Sequence, residues 1–310
     1  MTEATRQRLR GDMLLHISPT GNDSNTGFSP GEALRTLNEF YRRVRNDYDL
    51  AGYNLFAQLS DGEYEESDIT CVAATIGAVQ VIVQGNPGDP HAVTIRCPGG
   101  RYLFYSRDLG ITTLRNLTLG TTGPGSRLVN VTTLSTIDLD GVSFEAAPQG
   151  VHIFVCQGFL VVQKNYRILG GANRHLSASD NGVAYYGGFT VEIPQPVAFD
   201  AFVVAEAGAL VSAGGAPMKF AGAGLAHCTG RKFHVASNGV LLDSGTEFPG
   251  DKPGIGTDTG LEAMVAQQQA LLAESHRLLT EQHALLLSMR NSRSWRMTAP
   301  LRKLSMLLRG

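Results

Sequence analysis

Asp138 and Asp140 are the residues of this chain best spaced for chemistry. They alternate with Ile137 and Leu139 in the run TIDLDGVSF (136–144). A strand there turns both carboxyls to one outward face, about 7 Å apart by the rise of two residues. Paired acids at roughly such separations serve glycoside hydrolysis. With oxygen ligands from neighbouring segments, the same pair suits a calcium ion. A lyase needs a positioned Arg or Lys base and charge neutralisation of its uronate substrate. Glu145, Lys164 and Arg115 are the residues that would have to join the pair. None is assigned a catalytic role, because solvated outward carboxylates are ordinary on a strand.

The other chemistry-bearing residues read as structure. Asp23-x-Asn25-x-Gly27 is half of a calcium loop without its later ligand, so an Asx-stabilised turn is expected. His16, His91, His152, His175, His227 and His234 are scattered, with no HExxH. Cys71, Cys97, Cys156 and Cys228 form no CxxC pair and are expected as buried free thiols. No GxSxG elbow or P-loop occurs, and Gly-rich spots such as 187–192 and 221–230 read as turns. No metal and no cofactor is assigned.

The elements that must hold these residues recur. Ile95, Leu117, Leu139, Val161, Val183 and Ala205 follow one another at a constant 22-residue interval. Around them lie the β-prone runs 93–97, 114–119, 136–144, 158–163, 189–193 and 201–206. One strand cluster per unit of this length predicts an all-β solenoid, whose coils must stack to bury a common core. In a 22-residue register, Asn116 and Thr118 sit beside the aspartates on the preceding coil, and Leu160 and Val162 on the following one. Asn116, Thr118, Asp138 and Asp140 therefore form the expected ligand-binding set.

The chain divides along its length. Residues 1–12 read as a disordered, Arg-rich leader. Residues 13–52 hold a strand (13–18), a turn-rich stretch and a helix over 32–44, with Leu34, Leu37, Phe40, Tyr41 and Val44 on one face. That helix is expected to cap the open first coil. Residues 53–247 are the solenoid, and 248–260 read as a Gly/Pro linker.

Residues 261–289 change character. Four seven-residue units align Met264, Leu271, Leu278 and Leu285 in one column and Val265, Leu272, Leu279 and Leu286 in the next. Such sustained heptads predict a coiled-coil helix that joins copies of the chain. The tail 290–310 holds six basic residues and no acidic one, leaving 20 basic and 28 acidic residues before it. Nucleic acid is not an expected partner, since the body offers no basic groove. Docking of the tail through Trp295, Arg296, Arg302 and Lys303, or contact with a membrane surface, is the use its composition suggests. No signal-like apolar stretch opens the chain and no window approaches a membrane span.

The segment ISPTGNDSNTGFSPGEALRTLNEF (17–40) resembles the N-terminus of right-handed parallel β-helix proteins of the phage tail-spike-like and pectate-lyase-like kind. Gly21, Asp23, Ser24, Asn25, Gly27 and the Arg35-Thr36-Leu37 segment carry the likeness, with the usual Pro displaced to Pro30. A second segment, NSRSWRMTAPLRKL (291–304), resembles a Ser-Trp-Arg-x-Thr-x-Pro-Leu-Arg tail of some bacterial glycosyltransferases and surface-polysaccharide proteins, without their catalytic domain. The first resemblance implies a virion or prophage-encoded particle made in the bacterial cytoplasm, trimeric rather than dimeric, structural or carbohydrate-contacting. A polysaccharide lyase or glycoside hydrolase on the same coils is the enzymatic alternative, away from which the reading leans. An adaptor in bacterial surface-glycan assembly is the third reading.

Overall fold

The computed structural model describes residues 6–72 and 80–256. These form a parallel β-solenoid of about seven turns. One sheet has nine strands and two have seven, and every pairing within them is parallel. The seven coils that begin with Leu55–Leu59 and end with the one begun by Leu210–Ser212 each visit the three sheets in order. One coil runs through Thr136–Asp140 in the first sheet, Ser143–Phe144 in the second and Ala147–Cys156 in the third. Such short strands cannot bury an apolar face alone, and stacking supplies the missing partner.

The core is built of columns of like-facing side chains. Val81, Thr112, Ile137, Leu160, Ala184 and Val211 lie in register through the first sheet, and Val83, Leu114, Leu139 and Val162 form the neighbouring column. All ten are buried. The coil length is not constant. The coil that carries the chain from Val81 to its partner Thr112 is longer than the one from Ile137 to its partner Leu160. The 22-residue series is therefore not one column: Leu117 lies at a corner, Leu139 points inward, and Val161 belongs to the outward column of Asp138. Corners that absorb extra residues break a strict period without disturbing the strand register.

The solenoid also extends past both expected ends. Met13–Ile17 already pairs with Leu55–Leu59 in the first sheet. Gln7–Arg8, expected in a disordered leader, pairs with Tyr48–Asp49, and Leu9 is buried. At the other end, Phe248 is buried, while Lys252 and Ile255 bridge to Arg231 and His234. The stretch expected as a linker from 248 thus runs as backbone on the last coil. The heptad residues Met264 to Leu286 and the tail residues Trp295, Arg296, Arg302 and Lys303 lie outside the described residues. Among the described residues no helix is long and apolar enough to cross a membrane.

Helix α1 spans Leu37–Asn46 and buries Leu37, Phe40, Tyr41 and Val44. It begins later than the apolar spacing predicts, because Asp23 pins the preceding backbone. Asp23 Oδ1 accepts from the Arg35 and Thr36 amides, and its Oδ2 accepts from Thr36 Oγ1, all at 2.9 Å. Thr36 stays extended and caps the helix by accepting from the Glu39 amide at 3.0 Å. Leu34 is left outside α1, in a parallel bridge to Ile17. Glu66, brought from the second-sheet side, accepts from the Leu37 and Asn38 amides. Burial pushes its carboxyl up to about 7, against the pull of those donors.

Candidate functional site

The first sheet carries the aspartates as the alternation predicts, on the outward side, but they are not solvated. Asp138 is 9% exposed and Asp140 2%. The true register places Thr113 and Arg115 on the preceding coil beside Asp138 and Asp140. Arg115 Nε donates to Asp140 Oδ2 at 2.8 Å. Lys164 Nζ stands 2.8 Å from Asp140 Oδ1, as a charge contact outside hydrogen-bond geometry. Arg115 and Lys164, off register in a 22-residue frame, are thus the two cations that hold Asp140. Asp138 accepts from Gln163 Nε2 at 2.8 Å and from Gln80 Nε2 at 3.3 Å. Burial pushes its carboxyl up to about 6, with the Gln163 bond opposing.

The remaining predicted residues are dispersed. Glu145 sits on the second-sheet side in a two-pronged ion pair with Arg96, at 2.6 and 2.7 Å. Thr118 is not beside the aspartates. It lies in the second sheet, buried, and donates to the Pro90 carbonyl at 2.9 Å. Asn116 occupies the corner between first and second sheets with φ 51°, and its amide donates to the Asp140 carbonyl at 2.9 Å.

That corner borders a groove of about 450 Å³, lined by Asn116, Gly141, Ser143, Asn165, Arg167, Thr190 and Glu192 among others. Ser143, Arg167 and Glu192 occupy successive coils in one outward column of the second sheet. Arg167 Nε meets Glu192 Oε2 at 2.8 Å, and its Nη1 reaches His91 Nε2 at 2.9 Å. An arginine can only donate, so His91 accepts through Nε2 and turns Nδ1–H to Thr118 Oγ1, 3.3 Å away. The charged lining residues Arg167 and Glu192 compensate one another, and amides and hydroxyls make up most of the remaining polar lining.

Sequence reasoning missed Arg167, Glu192 and His91. Arg167 and Glu192 are partners on adjacent coils, at a separation that a 22-residue frame assigns to different columns. Among the described residues no group of three or more His, Cys, Asp or Glu is placed to hold a metal ion. Cys71, Cys97 and Cys228 are buried free thiols, and Cys156 is half-buried. Compared with known proteins, the chain matches no family model, no curated protein and no solved structure.

Proposed function

We propose that the chain is a rigid, right-handed parallel β-helix of tail-spike or surface-appendage type, a virion part whose wall contacts carbohydrate. In this reading α1 closes the N-terminal end of the coil stack, and the heptads of 261–289 join copies, three rather than two. A right-handed path agrees with the strong chirality of parallel crossover connections. The groove at the first corner is the observation that carries the ligand reading. It presents amide and hydroxyl groups from consecutive coils, at the ~4.8 Å spacing of paired strands, to a polymer lying along the stack. Its internal Arg167–Glu192 pair leaves little net charge, so hydroxyl-rich sugar is its natural occupant.

Affinity electrophoresis of the full chain against neutral and acidic polysaccharides tests this. Retardation by at least one glycan, weakened in Asn165→Ala and Arg167→Ala, is expected. No retardation by any glycan, or full retention of binding in both variants, overturns it.

The hydrolase reading rests on the contrast between Asp138, whose carboxyl is pushed up to about 6, and Asp140, held against Arg115 and Lys164. In that reading Asp138 would be the proton donor, and Asp140, set between two cations, the second carboxyl of the pair. New reducing ends without unsaturated sugars, abolished in Asp138→Asn, would establish hydrolysis, whereas unsaturated ends would mark a lyase instead; the absence of both across the glycans bound removes the enzymatic reading.

A further inference from the structure

The interior of the solenoid contains a chain of polar rings that neither the groove nor the aspartates use. His152, in the third-sheet strand Ala147–Cys156, and His175, in the next strand Ala172–Ser179, face each other with Nδ1 atoms 3.0 Å apart. His175 Nε2 lies 2.8 Å from the Tyr166 hydroxyl. Both imidazoles are almost fully buried, at 0% and 1% exposure.

One proton must lie in each contact. If Tyr166 donates to His175, then His175 donates to His152, and His152 carries its hydrogen on Nε2. If the order reverses, Nε2 is a bare acceptor. In both cases Nε2 of His152 is buried without a partner in hydrogen-bond geometry. The contact suits two neutral rings. A proton added between the facing nitrogens sets donor against donor, and one added at Nε2 of His152 has only the poorly aligned Glu145 backbone to meet it. One added at Nε2 of His175 turns the Tyr166 hydroxyl into an acceptor but leaves a charge among apolar rings.

Among the described residues, no charged side chain faces the pair to compensate a proton. Phe144 of the second sheet stacks on His152 at 5.4 Å, Phe202 of the following third-sheet strand stacks on His175 at 4.8 Å, and Phe199 meets both edge-on. Phe202 in turn packs on Phe220 and Phe248. The titratable groups facing the pair from these elements are Tyr166 and, across a small void, Tyr186, and burial raises both hydroxyls further from ionisation. The Glu145 side chain, next to Phe144 in the chain, is turned to Arg96. That void, lined by His175, Tyr166, Tyr186, Met218 and Phe248 among others, has about 10 Å³, room for about one water and no hydration shell.

We propose that the His152–His175 pair is an acid-release latch, through which proton uptake unpacks the coils that carry the third-sheet strands 147–156, 172–179 and 198–205. The sign follows from linkage. Burial pushes the His152 imidazole down to about 3, against the pull of the Glu145 backbone, and His175 well below its ordinary value. Both titrate near 6.5 once the coils open. The open state therefore binds more protons below pH ~6.5, and stability falls as pH drops from there toward 3. With two imidazoles involved, the folded-to-open ratio loses up to about 100-fold per pH unit once the pH is well under 6.5.

Urea unfolding of the full chain between pH 7.5 and 4.5 tests this with the native protein, His152→Phe and His175→Gln. The native chain is expected to lose its folded population more steeply on acidification than either variant, each variant losing about tenfold less per pH unit. Curves that run parallel in all three overturn the latch. Should a variant fail to fold, ¹⁵N imidazole spectra of the native chain decide alone. Both rings are expected to stay neutral until the fold signals of these coils vanish. A protonated ring in the intact fold overturns the proposal.

Discussion

Glu145 lies across Gly120 and closes a two-pronged ion pair with Arg96, which stands two coils away along the second sheet. Gly120 occupies the position between them in register with Arg96, and a Cβ there would run into the Glu145 carboxylate. The missing side chain is what lets a pair form over a span that strand neighbours normally fill. Gly120→Ala is expected to cost about 1 kcal/mol by lifting Glu145 off Arg96, in keeping with a partly screened bidentate pair. In a Glu145→Ala background the same change is expected to cost almost nothing. Equal losses in both backgrounds, measured by urea unfolding, would show that Gly120 matters for its backbone and not for this pair.

Asp138 makes stability fall with rising pH. Its carboxyl is pushed up to about 6 in the fold from an ordinary value of 3.8. A raised folded value means its contribution is complete below about pH 4 and is lost as pH climbs through 6. Asp138→Asn removes the titration and keeps an acceptor for Gln163. The variant is expected to match the native chain at pH 4 and to exceed it at pH 7.5 by on the order of 2 kcal/mol. Urea midpoints at the two pH values check this, and a variant less stable at pH 7.5 contradicts the assignment.

Asp23 organises the entry to α1 from well upstream in the chain. It satisfies the Arg35 and Thr36 amides and the Thr36 hydroxyl, while Arg43 of α1 donates back to the carbonyls of Asp23, Asn25 and Thr26. Asp23→Ala strands two amides and unfixes the N-cap, so a loss of about 2 kcal/mol is expected, with Asp23→Asn losing roughly half. Calcium is expected to leave both melting temperatures unchanged. A calcium-dependent rise in the native chain would return the loop to metal binding.

The sequence carried the solenoid because inward and outward residues alternate on each strand whatever the corners do. Ile137 and Leu139 point in and Asp138 and Asp140 point out, as their alternation requires. What surrounds the aspartates was not legible, since neighbours in a solenoid are set by coil length. The step from Val81 to Thr112 is longer than the step from Thr112 to Ile137, although both join neighbours in one column. A fixed interval therefore put Asn116 and Thr118 where Thr113 and Arg115 stand, and left Lys164 unplaced. The His152–His175 contact was hidden for the same reason: the two rings sit one coil apart, on strands whose register shifts between Ala147 and Val151. By contrast, the Asx turn at Asp23–Gly27 was legible because its residue types alone favour it, although its partners Arg35, Thr36 and Arg43 were not.

The corner from third to first sheet contains leucines where the other coils place turn residues. In four of the described corners two successive residues are left-handed, and the second donates its amide to the carbonyl of the next coil's turn. Leu109 donates to Thr133, Leu134 to Gln157, Asn181 to Ala207 and Gly208 to Ser237. Leu109 and Leu134 have φ of 64° and 59°, equivalent to Asn181 at 61° and Gly208 at 75°. They are also 64% and 60% exposed, so little packing offsets the steric cost of a leucine in that region. Leu134→Asn keeps the amide ladder and suits the dihedral, so a gain of about 0.5–1 kcal/mol is expected from urea unfolding. Leu109→Asn is expected to behave alike, and the two gains to combine less than additively because the turns stack on one another. A loss of stability in the single variants would mean that the leucine side chains hold something that their exposure conceals.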